Sequence, residues 1–192
     1  MLLNSNNYIY LKANYIIMKY LNTITIMIFL FVLSSCSTGG NHPDFEANVE
    51  KVQTFLELQG SEADPQAQLD MIHEDLEWQP AFYGTGLIGK AEFGEYLIGW
   101  QDAMEDVVYT ATNYLPGVNP ETGVLDGSVR SYGTWTGVHS ETGKSWELSS
   151  YHTWDFKDGQ IVYGGDYFDA GGFLASLAPV SYTHLRAHET VS

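Results

Sequence analysis

An α+β fold is what this 192-residue chain predicts, and two observations carry that expectation. Apolar residues recur at helical spacing from Phe45 to about Glu105; from Asp106 onward the period falls to two and turn signals arrive regularly. Three helices followed by a long-stranded antiparallel meander bury their apolar faces by packing the helices on one face of the sheet.

The first helix opens at Asp44 and carries Phe45, Val49, Val52, Phe55, Leu56 and Leu58 at roughly helical spacing. Asp64-Pro65 reads as an N-cap followed by proline at the first helical position, with Leu69, Ile72 and Leu76 as the apolar side of a second helix. A glycine- and proline-containing loop spans 79–89. The third helix is predicted from Lys90 to Glu105, burying Phe93, Leu97, Trp100 and Met104. Pro116-Gly117, Glu121-Thr122-Gly123, Glu141-Thr142-Gly143 and Asp158-Gly159 then punctuate runs rich in Val, Tyr, Trp and Thr. They place strands at 107–115, 127–139, 145–157 and 160–168. The two Glu-Thr-Gly triplets read as repeated turn chemistry, because their surroundings do not match.

The N-terminal region predicts export. Residues 18–36 read MKYLNTITIMIFLFVLSSC: Lys19, an apolar run from Ile24 to Leu33, then small residues before a cysteine. That order is a secretory signal over 18–35, with an apolar core too short to span a bilayer as a stable helix. Leu33-Ser34-Ser35-Cys36 resembles the lipobox of bacterial lipoproteins, which implies lipid attachment at Cys36. Two or more acyl chains anchor stably. Cys36 is the only cysteine, so no intrachain disulfide can form in an oxidising compartment, and lipidation accounts for the lone thiol. The expected localisation is the bacterial cell envelope, lipid-anchored, on the periplasmic side or the cell surface.

Residues 1–17 lie upstream of a better start at Met18 and read as an over-extended gene start; residues 36–44 read as a polar tether. At the other end, Val180 to Thr190 (VSYTHLRAHET) breaks with the acidic, glycine-rich composition before it and resembles one reading frame of a transposase sequencing adapter. Residues 180–192 are therefore expected to be foreign to the domain, and His184 and His188 to carry no metal-binding meaning.

Between Cys36 and Pro179 stand 23 Asp and Glu against 5 Lys and Arg, a balance more extreme than the whole-chain charge of −16. Such a field repels phosphate backbones and anionic lipid surfaces, so nucleic acid is not an expected partner and membrane contact is expected through the lipid anchor only. His73-Glu74-Asp75 offers metal-capable side chains, but these read as a solvated helix end, and no metal is expected. No nucleophile elbow, phosphate loop, CxxC pair or dinucleotide fingerprint is present, so no cofactor is expected.

Gly89-Lys90 opening the third helix, Gly133-Thr134-Trp135-Thr136-Gly137 in a long strand, and Phe156-Lys157-Asp158-Gly159-Gln160-Ile161 leading to Asp166-Tyr167-Phe168-Asp169 resemble the nuclear-transport-factor-2-like superfamily. The resemblance is to its SnoaL-like branch, related to polyketide cyclases, over residues 45–179. It implies a cone-shaped, curved sheet wrapped on helices around an apolar cavity, and a homodimer formed through the outer sheet face. It also implies a general acid/base aspartate five residues beyond the isoleucine of the Asp-Gly-x-Ile turn, which is Asp166, and a cavity histidine nine residues before that isoleucine, which is His152. Two departures stand out: Ser150 occupies a position where an amide is expected, and Gly164-Gly165 precede the aspartate.

The residues themselves leave two readings open. Alternation along 145–157 puts Trp146, Leu148, Ser150, His152, Trp154 and Phe156 on one face, so His152 lies among tryptophans, where desolvation disfavours its charge unless a nearby carboxylate, for which Asp166 is the candidate, restores it. A histidine and an aspartate facing one apolar pocket have the means to move a proton on a ketone-like substrate. Equally, a histidine on an apolar face is commonly a hydrogen-bonded core residue, and an aspartate beside glycines commonly a turn former. Trp78, Tyr83, Trp100, Tyr132, Trp135 and Trp154 are expected on elements that line or rim a cavity, which suits a flat apolar ligand, with Trp78 and Trp100 the preferred pair. The expected function is the binding of a hydrophobic small molecule without transforming it, or an accessory role in an envelope complex. The alternative is a cofactor-independent lyase, isomerase or cyclase using Asp166 with His152.

Overall fold

A computed structural model describes Met18, residues 40–60 and residues 65–179. The signal segment beyond Met18, together with Cys36, Asp64, His184 and His188, lies outside the described residues. Among the described residues no helix is long and apolar enough to cross a membrane.

The chain order is α1 (Phe45–Gly60), α2 (Pro65–Leu69), β1 (Ile72–Gln79), α3 (Lys90–Ala103), β2 (Met104–Val118), β3 (Leu125–His139), β4 (Ser145–Lys157), β5 (Gln160–Tyr167) and α4 (Ala170–Leu177). The five strands form one open mixed sheet in the order β1-β5-β4-β3-β2. The meander β2-β3-β4-β5 is antiparallel, and β1 adds in parallel to β5. This is the α+β arrangement expected, with helices packed on the sheet.

One predicted element changes type. Ile72 and Leu76 do not continue the second helix, which stops at Leu69; they belong to β1, where they are buried with Trp78. The four-residue spacing of Ile72 and Leu76 fits a period of two as well as a helix, and pairing with the distant Ile161 decides between them. His73-Glu74-Asp75 accordingly lies within a strand and not at a helix end. Its carboxylates meet Lys90 and Lys157, each at 2.7 Å. Met104 likewise begins β2 instead of ending α3.

Turn chemistry is local and sits where the sequence puts it, with one exception. Asp158 and Gly159 both take positive φ, the conformation of a two-residue hairpin that joins β4 to β5. Pro116-Gly117 is instead the irregular end of β2, which continues to Val118.

The core fills the space between the helices and the inner sheet face. Phe55 of α1 packs on Phe93 of α3 and edge-on to Trp154 of β4, while Trp78 of β1 lies 4.7 Å from Phe93 and 5.2 Å from Trp154, centroid to centroid. A second apolar cluster, Met104, Phe173 and Leu177, sits under α4. Asp169 caps α4 by accepting the backbone N–H of Gly172 at 2.9 Å.

Candidate functional site

Asp166 and His152 are direct cross-strand partners in β5 and β4. That register brings His152 Nδ1 to 2.7 Å from Asp166 Oδ1. Asp166 Oδ2 accepts two further hydrogen bonds, from Trp78 Nε1 at 3.0 Å and from the Tyr96 hydroxyl at 2.8 Å. Burial, reinforced by the charge of Asp166, pushes the Tyr96 hydroxyl well above its ordinary range, so it stays protonated and donates.

On its other nitrogen, His152 meets the indole N–H of Trp135 at 3.1 Å and the Ser150 hydroxyl at 2.8 Å. The position at which the sequence departs from the amide pattern thus still supplies a polar partner to the imidazole. His152 is 3 % exposed, and the Asp166 side chain 11 %. Tyr109 packs 4.7 Å from Trp135 and 5.9 Å from His152, centroid to centroid, and burial pushes its hydroxyl up to about 12.

The two glycines before Asp166 have a packing role. A Cβ on Gly164 would come within 2.4 Å of Trp78 Cζ3 and 2.3 Å of the Thr153 carbonyl oxygen. Glycine there lets the Trp78 indole lie against β5, from which its N–H reaches Asp166.

This cluster borders a cavity of about 80 Å³. Trp78, Trp100, Trp135, Trp154, His152 and Asp166 all line it, together with Tyr96, Trp146, Phe93, Leu97 and other apolar side chains. Trp100 stands 6.2 Å from Tyr96, 5.9 Å from Phe168 and 5.8 Å from Phe173. Two predicted aromatic residues lie elsewhere. Tyr132 is on the outer sheet face, 39 % exposed, stacked on Tyr151 at 4.6 Å, because alternation along β3 turns it away from Trp135. Tyr83 stands fully exposed in the loop between β1 and α3.

Tyr96 is the site residue that sequence reading missed. A signal for it existed: Phe93, Tyr96 and Trp100 recur at helical spacing along α3. Among the described residues no three His, Cys, Asp or Glu side chains gather in a way that would hold a metal ion.

Several solved structures share this architecture. A protein of Xanthomonas campestris pv. campestris, named as a polyketide cyclase, is 22% identical with a TM-score of 0.55, over 70% of this chain and 99% of that one. A SnoaL-like polyketide cyclase by name, from Jannaschia sp. CCS1, is 12% identical with a TM-score of 0.60, over 73% of this chain and 99% of that one. An LEH-like epoxide hydrolase of M. tuberculosis is 18% identical with a TM-score of 0.53, over 70% of this chain and 92% of that one. At these identities the likeness establishes the fold alone. No curated protein matches the chain. The family model described as the SnoaL-like domain matches residues 52–164, more than half of the chain, and by that match the chain belongs to the SnoaL-like domain family.

Proposed function

We propose that this is a lipid-anchored envelope protein whose SnoaL-like domain holds a small, flat, mainly apolar molecule, with Asp166 and His152 as the polar end of the site. One observation carries the reading: an aromatic-walled cavity in which the lining Asp166 and His152 are hydrogen-bonded to each other. Buried titratable pairs cost stability and gather at functional sites more often than elsewhere. The aromatic walls suit a flat ligand.

A second reading is favoured by the three donors that hold the Asp166 carboxylate in place. A base fixed in this way is positioned for cofactor-free proton transfer on a substrate carbon or oxygen, which is lyase, isomerase or cyclase chemistry. Small molecules that co-purify with the protein distinguish the two. A molecule found by mass spectrometry on Asp166→Asn but not on the wild type is a trapped substrate and supports the enzyme. The same molecule on both, with affinity lowered by Trp100→Ala, supports binding without turnover. An empty cavity in both proteins contradicts the two readings together.

The anchor is proposed on the lipobox-like sequence, and a mature protein whose Cys36 carries no acyl mass would remove it. Pairing of two copies is proposed through the outer sheet face, where Tyr151 stacks on Tyr132 and lies tilted 5.3 Å from Tyr167. A sedimentation profile showing only monomer at micromolar concentration would contradict it.

A further inference from the structure

Hydrogen-bond geometry fixes the charge that faces the cavity. The Trp135 indole nitrogen can only donate, and it lies 3.1 Å from His152 Nε2, so that nitrogen carries no proton. The imidazole hydrogen therefore sits on Nδ1 and goes to Asp166 Oδ1, leaving His152 neutral. With Trp78 and Tyr96 donating to Oδ2, Asp166 receives three hydrogens and is the acceptor-only, ionised form.

No basic side chain among the described residues offsets that charge. Among the described residues, Lys90 pairs with Glu74, Lys157 with Asp75 and Arg130 with Asp155. Lys144 donates to the carbonyls of Ser176 and Ala178, and Lys51 lies beside Asn48 and over the Phe156 ring. None of these five lines the cavity. One net negative charge thus borders a space walled mostly by aromatic and aliphatic groups.

A partner of opposite sign lowers the cost of a buried charge, an anion raises it, and a neutral hydrocarbon excludes water without compensating it. The kind of cation is restricted as well. A primary ammonium brings three N–H groups that each need an acceptor, and this site has one carboxylate already engaged by three donors. A tertiary or quaternary ammonium spreads its charge over alkyl groups, needs at most one hydrogen bond, and is attracted by aromatic faces. The acidic domain around the site draws cations toward it.

We propose that the cavity binds a tertiary or quaternary organic ammonium ion, its nitrogen beside Asp166 and its alkyl groups against Trp78, Tyr96, Trp100 and Trp154. This assignment rests on the reading of the cavity as a ligand site. Phenyltrimethylammonium and tert-butylbenzene test it, because the two have nearly the same shape and differ in the charge on one atom. Binding of each to the full chain is read from tryptophan fluorescence.

The cation is expected to bind at least about ten-fold more tightly than its neutral isostere. Asp166→Asn is expected to bring the two within about two-fold by weakening the cation. Trp100→Leu, which keeps an apolar wall but removes an aromatic face, is expected to weaken the cation more than the isostere, and it serves where Asp166→Asn does not fold. Equal affinity of the two probes for the wild type overturns the ammonium assignment and leaves the ligand site standing. An equal loss of both probes in Trp100→Leu also overturns it. Binding of neither probe removes the ligand site and the assignment with it.

Discussion

The indole of Trp78 lies against Gly164, its parallel partner across β1 and β5, so closely that a Cβ there would stand 2.4 Å from Cζ3. The same contact aims the Trp78 N–H at Asp166, two residues further along β5. Absence of a side chain at one position is thus what orients the carboxylate at another.

Gly164→Ala is therefore expected to displace Trp78 and to lower stability by about 1–3 kcal/mol, the cost of overpacking a filled core. Urea unfolding reads the loss, and near-ultraviolet circular dichroism reads the movement of the indole. A variant with unchanged stability and spectrum would show that the strand pair yields without cost.

Trp135→Phe removes the donor that keeps His152 Nε2 unprotonated. Nitrogen NMR of labelled histidine is expected to show the wild-type proton on Nδ1 and a mixture of tautomers in the variant. A wild-type spectrum with the proton on Nε2 would contradict the charge assigned to the site.

The Tyr109 hydroxyl, ordinarily titrating near 10.0, is pushed by burial up to about 12. Its folded value lies above its unfolded one, so the folded state holds the proton longer. The stability this contributes is complete below about pH 10 and is lost as pH rises toward 12. Urea midpoints across that window are expected to fall less steeply in Tyr109→Phe. Equal slopes in the two proteins would place the alkaline transition elsewhere.

Phe55→Ala removes a ring that packs 5.4 Å from Trp154 and 6.2 Å from Phe93 and that also lines the cavity. The expected loss is about 3–5 kcal/mol, as for large-to-small changes in a packed core. Chemical denaturation measures it, and a loss under about 1 kcal/mol would indicate that the cavity collapses to refill the site.

Much of the site was legible because its spacing is short-range. The hairpin at Asp158-Gly159 needs only the backbone freedom of two residues and pairs Lys157 with Gln160, while a one-residue register shift between Asp155 and Phe156 is what sets His152 opposite Asp166 and not Gly165. Alternation along β4 gave the face of His152. The same rule, carried to β3, separates Tyr132 from Trp135, which an inventory of aromatic residues does not.

By itself the sequence determined the first and third helices, the antiparallel meander and the hairpin turn at Asp158-Gly159, since periodicity and turn chemistry act over a few residues; the short helix Ala170–Leu177 was not read from it. Tertiary structure decided that residues 72–79 form a strand, because Ile72 and Leu76 fit either period and only the pairing with β5 selects one. It also decided that Trp78 and Tyr96, from a strand and a helix far from Asp166 in sequence, both donate to the same carboxylate oxygen. Such contacts depend on how layers pack, and no local pattern encodes the distance between two surfaces that meet only when the chain is folded.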